Sequence, residues 1–387
     1  MPEMTLPRPP ARTFENVNLL RAFAALAVVV YHVIEHSHWA AFPVQGPLLI
    51  FRTGWMGVDL FFVISGFVIT YSGLALYEQD PPAFRAQYWR RRLTRILPLY
   101  LLTLVLWIGM DAPRFFAQPA TGWLWQLFTH LAFIHAWWPQ THGAIDGANW
   151  TLAIEMQFYL AVSLLVPWIR RTPAWVILLC ATAVAWTWRA TMYVMYAHVD
   201  FGLEFIRVSQ LPGSLDEFAA GIVLARLVLD RRIERVPAWA WIVLASVLGY
   251  VVFSLFWSHS LYWDVPAMVV FWRTGFAAFL ACMVAAAVCL PQALARRWLR
   301  PVNYLGDVSY GIYLWHLFAI QLVVHALGIG GMTALATVLM LTILAASISW
   351  HWFEKPFMAL GRRPAHAGEK TPPAGGVVSD SPRAAST

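Results

Sequence analysis

The chain has 387 residues, of which 60% are hydrophobic and only 12% charged, with 22 tryptophans and a formal net charge of +7. A soluble domain carries about twice that charged fraction, and apolar stretches of about 18 residues or more, long enough to cross a bilayer as helices, recur along nearly the whole length. Composition therefore excludes soluble domain classes and points to an all-α, polytopic transmembrane bundle; arginines in short loops beside apolar runs explain the positive charge better than nucleic-acid binding does.

Residues 1–16 carry Arg8 and Arg12 ahead of the first apolar run, LLRAFAALAVVVYHV at 19–33. A signal peptide would begin similarly, but Arg21 interrupts the run and more spans follow, so 17–36 reads as an uncleaved first span. Further spans are expected at 54–74, 94–111, 149–169, 173–194, 210–229, 237–258, 265–290, 304–326 and 332–353, about ten in all. The stretch TGWLWQLFTHLAFIHAWW, 121–138, is an eleventh candidate. If it does not cross, the clusters at Arg85–Arg95, Arg170–Arg171, Arg226–Arg235, Arg296–Arg300 and Arg362–Arg363 all fall on one side. If it crosses, that bias breaks in mid-chain. The segment is therefore read as an interfacial or re-entrant helix, in a multi-pass protein of the cytoplasmic (inner) membrane with both termini cytoplasmic. The membrane domain is expected over 17–358, followed by a disordered tail, 359–387, rich in Pro, Gly, Ser and Ala. Cys180, Cys282 and Cys289 lie in apolar runs and read as free thiols. His130, His135 and His142 lack the spacing of a metal site, and no metal is expected.

Ionisable side chains at membrane depth are costly and face a cavity or a partner. Arg21 and His32 are eleven residues apart; at about 100° per residue this is three turns, placing both on one helix face about 16 Å apart. At the cytoplasmic level YWRRRLTRILPLY adds Arg90, Arg91, Arg92 and Arg95, which could grip an anion or merely anchor a helix at the inner leaflet. Toward the outer level lie His32, Asp59 in GVDLFFVISGF, Glu155 in NWTLAIEMQFY, Asp216, Glu217 and Arg273, with His316 in SYGIYLWHL somewhat deeper. Each has a plain alternative: a hydrogen bond for His32, a helix-entrance pair for Asp59, an ion-pair seam running on to Glu35. Glu155, about six residues inside an apolar span, is the hardest to explain structurally. Gly57, Gly66 and Gly311 read as close-packing residues.

Taken together, the Arg-x10-His pair, GVDLFFVISGF, RRRLTRILPLY, NWTLAIEMQFY, LDEFAAGIVLA, LGDVSYGIYLWHL and FEKPF come in the order and spacing of the acyltransferase-3 family, which this chain resembles over about 15–358. The resemblance implies an integral-membrane O-acyltransferase that modifies extracytoplasmic glycans. It implies paired functional roles for Arg21 and His32, an acyl-CoA-associated basic motif at Arg90–Arg92 with Arg95, and an acidic position at Glu155. Thr151 and Ala153 stand where the family motif has serines, and Ser65 and Gly66 match its S-G-F. Some members carry an esterase-like domain not found in this sequence, which leaves room for a separate periplasmic partner.

The expected chemistry has acyl-CoA, acetyl-CoA by default, held by the arginines. His32 acts as general base on an acceptor hydroxyl, or as the site of a transient acyl-imidazole. Glu155 or Asp59 orients the ring, and Ser65, His316 and Arg273 are candidates for oxyanion or acceptor contacts. The competing class is a transporter or lipid-linked glycan flippase using His32 and Glu155 as a proton relay. The acceptor's identity is not legible in the residues.

Overall fold

The computed structural model describes residues 14–197, 199–259 and 262–361, and among these every regular element is helical. The N-terminal 1–13 and the tail from 362 lie outside the described residues. The long helices are α1 (Glu15–His36), α2 (Gly57–Gln79) and α3 (Phe84–Met110); short α4 (Ala112–Ala117) and α5 (Ala120–Leu131) lead to α6 (Trp150–Arg171) and α7 (Ala174–Tyr196). Then come α8 (Phe201–Val208), α9 (Leu215–Leu229), α10 (Ala238–Ser258), α11 (Arg273–Cys289), α12 (Arg300–Asp307), α13 (Ser309–Ile320), α14 (Gly331–Ser349) and α15 (Lys355–Gly361).

Among the described residues, eight helical stretches are long and apolar enough to cross a membrane, or nine when Arg300–Asp307 and Ser309–Ala326, bent by 74°, count as one span. Length and apolarity alone therefore do not confirm the expected count of about ten. The stretch outside that count is 210–229, where Pro212 and Gly213 sit in the tight turn Leu211–Ser214 and delay the helix, leaving α9 only 15 residues although it runs from the loop end to the arginine end, where Arg226 meets the close of α6. At 1.5 Å per residue that is about 22 Å, short of the hydrocarbon core of about 30 Å. α9 needs no lipid-matched length because ten of its fifteen residues are buried in the bundle. Segment 121–138 forms the 12-residue α5 followed by irregular chain, too short at about 18 Å to cross by itself.

Side-chain ties group the helix ends. The Asn16 amide donates to the Ala287 and Leu290 carbonyls at the close of α11, and Arg226 donates to the Ile169 and Thr172 carbonyls at the close of α6. These ends, with Arg90–Arg95 on α3, form an arginine end; residue 14 and α15 are there too, since Gly361 packs on Thr94. The connections 37–56, 111–149 and 197–214 form the opposite, loop end.

α2 is the central helix, packed against α1, α6, α9 and α11. Its approach to α9 depends on glycine: a Cβ on Gly66 would strike the Phe218 carbonyl, and one on Gly221 the Val63 carbonyl. Gly57 likewise leaves no room for a Cβ against the Ala24 carbonyl, and Gly311 lies against Ala346, so all three glycines expected to serve close packing do so.

Candidate active site

A cavity of about 190 Å³ lies between α1, α2, α3, α6 and α13, with Arg21, Arg92 and Arg95 lining its arginine end. Its wall runs along α2 from Ile69 through Ser65 to Val58 and along α6 from Tyr159 through Glu155 to Thr151. Eleven residues of α2 give it a length of about 16 Å, the same rise that separates Arg21 from His32.

The three guanidiniums are short of partners. Arg21 makes no hydrogen bond or ion pair with any described residue, though Glu155, Asp307 and Arg95 surround it. Arg95 has, among the described residues, only a 4.0 Å contact to the Met358 sulfur. Arg92 donates to the Ser72 hydroxyl and lies over the Tyr88 and Tyr159 rings at 5.8 and 5.9 Å. Unpaired cations in a site shielded from lipid favour an anionic ligand, and guanidinium suits phosphate oxygens through paired, charge-assisted bonds. Arg90 and Arg91 do not line the cavity.

Midway along, Glu155 Oε1 accepts from the Ser65 hydroxyl and, at 2.6 Å, from the Tyr159 hydroxyl. Both donors converge on one oxygen and leave Oε2 without a hydrogen bond to any described residue. Tyr159, one helical turn after Glu155, was not singled out in the sequence, although an i, i+4 pair on a helix is a readable signal.

At its far end the cavity stops against Thr151, Phe61 and Tyr313. The Thr151 hydroxyl donates to the Tyr313 hydroxyl at 2.9 Å, which donates in turn to the Ala148 carbonyl at 2.9 Å. This ties α13 to the loop entering α6, where burial pushes the Asp146 carboxyl up to about 7. Beyond Tyr313 stands His316, fully buried, its Nε2 3.2 Å from His32 Nδ1. Thus Arg21 and His32 share a face of α1, yet Arg21 lines the cavity and His32 lies past its end, beside a histidine rather than an acid. His36 and His325 form a second pair at 2.9 Å nearer the surface. Glu35 is exposed and makes no ion pair among the described residues.

Asp59 and Arg273 are placed elsewhere. They pair with each other at 2.8 Å, Glu217 lies 3.0 Å from the same guanidinium, and none of the three lines the cavity. Next to them, fully buried Arg189 pairs with Asp216, which also accepts from Thr274. Arg189 was missed in the sequence, where a lone arginine inside 173–194 was the available signal. Neither Asp59 nor Glu155 hydrogen-bonds His32, so the expectation that one of them orients the ring is corrected: the spacing along the chain showed the charges but not which helix faces which. The expected loop-end placement of Glu155 also shifts, since its neighbours include Arg21.

A family model described as an acyltransferase domain matches residues 14–352. The chain belongs to this acyltransferase family. It is 29% identical over 387 aligned positions to a putative peptidoglycan O-acetyltransferase, YrhL, of Bacillus subtilis, covering 91% of this chain and 56% of the relative. It is 25% identical over 370 positions to the peptidoglycan O-acetyltransferase OatA of Listeria monocytogenes (89% and 56%), and 25% over 378 to the O-acetyltransferase OatA of Staphylococcus aureus (90% and 58%). The chain thus spans a little over half the length of these relatives. No solved structure matches it.

Proposed function

We propose that this chain is a membrane-embedded O-acyltransferase that moves an acyl group, acetyl by default, from acyl-CoA to a hydroxyl of a glycan, with its arginine end toward the cytoplasm and no metal. The observation that carries this reading is the cavity in which Arg21 and Arg95 lie beside Arg92 without an ion pair to any described residue. The names of the relatives support the reaction class.

In this reading the donor's phosphates are held by the three arginines, and its thin arm follows the cavity past Glu155 toward Tyr313. His32 Nε2 takes the proton from the acceptor hydroxyl, whose oxygen attacks the thioester carbonyl. The tetrahedral oxyanion collapses with cleavage of the C–S bond, and the imidazolium returns the proton to the thiolate. Imidazole is suited to both transfers because it titrates near neutral pH. Ser65, bonded to Glu155, is the hydroxyl nearest the middle of the donor path.

The test is CoA binding to the purified protein in detergent, followed by calorimetry. Hydrogen bonds to charged groups contribute about 1.5–3 kcal/mol each, so Arg21→Gln and Arg95→Gln should each weaken CoA by about ten- to a hundred-fold. Unchanged affinity in the double variant overturns the donor assignment.

A further inference from the structure

Proton placement on two imidazoles can be read from what surrounds them. His316 Nδ1 lies 2.6 Å from the Tyr313 carbonyl oxygen, which can only accept, so Nδ1 carries the hydrogen. In the neutral ring Nε2 is then a bare acceptor. It faces His32 Nδ1 at 3.2 Å, and that same Nδ1 lies 3.0 Å from the Val28 carbonyl of its own helix. Two acceptors around one nitrogen require a donor there, so His32 is protonated on Nδ1. Its second nitrogen, Nε2, makes no hydrogen bond with any described residue and holds a free lone pair on a half-buried ring.

We infer that His316 is the positioning residue of His32: anchored by the Tyr313 carbonyl, it accepts the His32 Nδ1 hydrogen and so presents His32 Nε2 as the base. The arrangement follows the logic of base plus orienter, in which the partner fixes tautomer and ring angle and supports the charged ring once a proton has been taken up. Here the orienter is a neutral imidazole. Its suitability follows from its site, since His316 is completely buried and an ionised carboxylate there would be costly. The chain from Tyr313 backbone to His316 to His32 also connects the wall of the donor cavity to the base.

The inference rests on His32 being the base, and the experiment separates the two. In protein labelled with nitrogen-15 histidine, spectra assigned by difference against His32→Gln should show His32 with its hydrogen on Nδ1 and Nε2 bare, whatever the acceptor. In His316→Leu the Val28 carbonyl still accepts from Nδ1, so the hydrogen should stay there while its proton shift moves to that of a hydrogen with one acceptor; in His316→Gln, whose amide oxygen reaches the same place, the shift should persist. Release of free CoA from acetyl-CoA, with isolated peptidoglycan strands as the acceptor, should fall about ten- to a hundred-fold in kcat for His316→Leu, within the range attributed to general-base catalysis. KM for acetyl-CoA should hold, and His316→Gln should restore most of the rate. CoA binding like that of the unsubstituted protein checks that each variant is folded. A His32 hydrogen on Nε2 in the unsubstituted protein, or a His316→Leu variant whose His32 Nδ1 proton shift is unchanged, overturns the inference. Full turnover by His316→Leu beside a dead His32→Gln overturns it alone, whereas an active His32→Gln overturns the base assignment beneath it.

Discussion

Arg273 and Arg21 are both cations at membrane depth, and their surroundings give them opposite meanings. Arg273 is bracketed by Asp59 and Glu217, so its charge is spent within the protein. Arg21 has no such partner among the described residues and is available to a ligand. Removing one member of a buried ion pair costs about 3–5 kcal/mol because the remaining charge is stranded. Arg273→Met should therefore lower the thermal unfolding midpoint in detergent sharply while leaving the CoA affinity of the folded fraction unchanged; Arg21→Gln should do the reverse. A weakened CoA affinity in Arg273→Met would place that cluster in the donor site after all. From sequence the two arginines look alike, since both interrupt apolar runs. What distinguishes them is a contact between residues 59 and 273, a separation that no local pattern encodes.

At the level of elements, periodicity carried most of the information. The Arg21–His32 spacing correctly puts both on one face of α1, and the apolar runs locate the long helices. Two features escaped that reading. One is α9, shortened by the turn at Pro212–Gly213; the other is the register between α6 and α1, which sets Glu155 near Arg21 instead of His32. Both depend on how neighbouring helices approach, and at α2–α9 the approach is governed by glycine. Gly221→Leu would drive a side chain into the Val63 carbonyl, a cost at or above about 1–3 kcal/mol. The expected outcome is loss of monodisperse protein on size exclusion at ordinary growth temperature, with partial recovery on growth in the cold. Normal yield and melting would show that α2 and α9 can separate without penalty.

For the whole molecule, class and polytopic character were legible because composition is a property summed over the chain, and the family because its motifs recur in order and spacing. The number of helices long enough to cross unaided was not, since it depends on single turns. Orientation is a prediction at this scale: in a background with Cys180, Cys282 and Cys289 replaced, an Arg232→Cys variant should resist a membrane-impermeant thiol reagent in intact cells, and a Val199→Cys variant should react. The opposite pattern would invert the molecule. One further consequence follows from Tyr313, whose hydroxyl is held between Thr151 and the Ala148 carbonyl. A passage lined with arginine and glutamate and open at both faces would leak ions and dissipate the gradients across the bilayer. A ring whose hydroxyl is tied to two neighbours holds its place at that end of the cavity, which is what an electrically insulating membrane asks of a protein that hands chemistry across it.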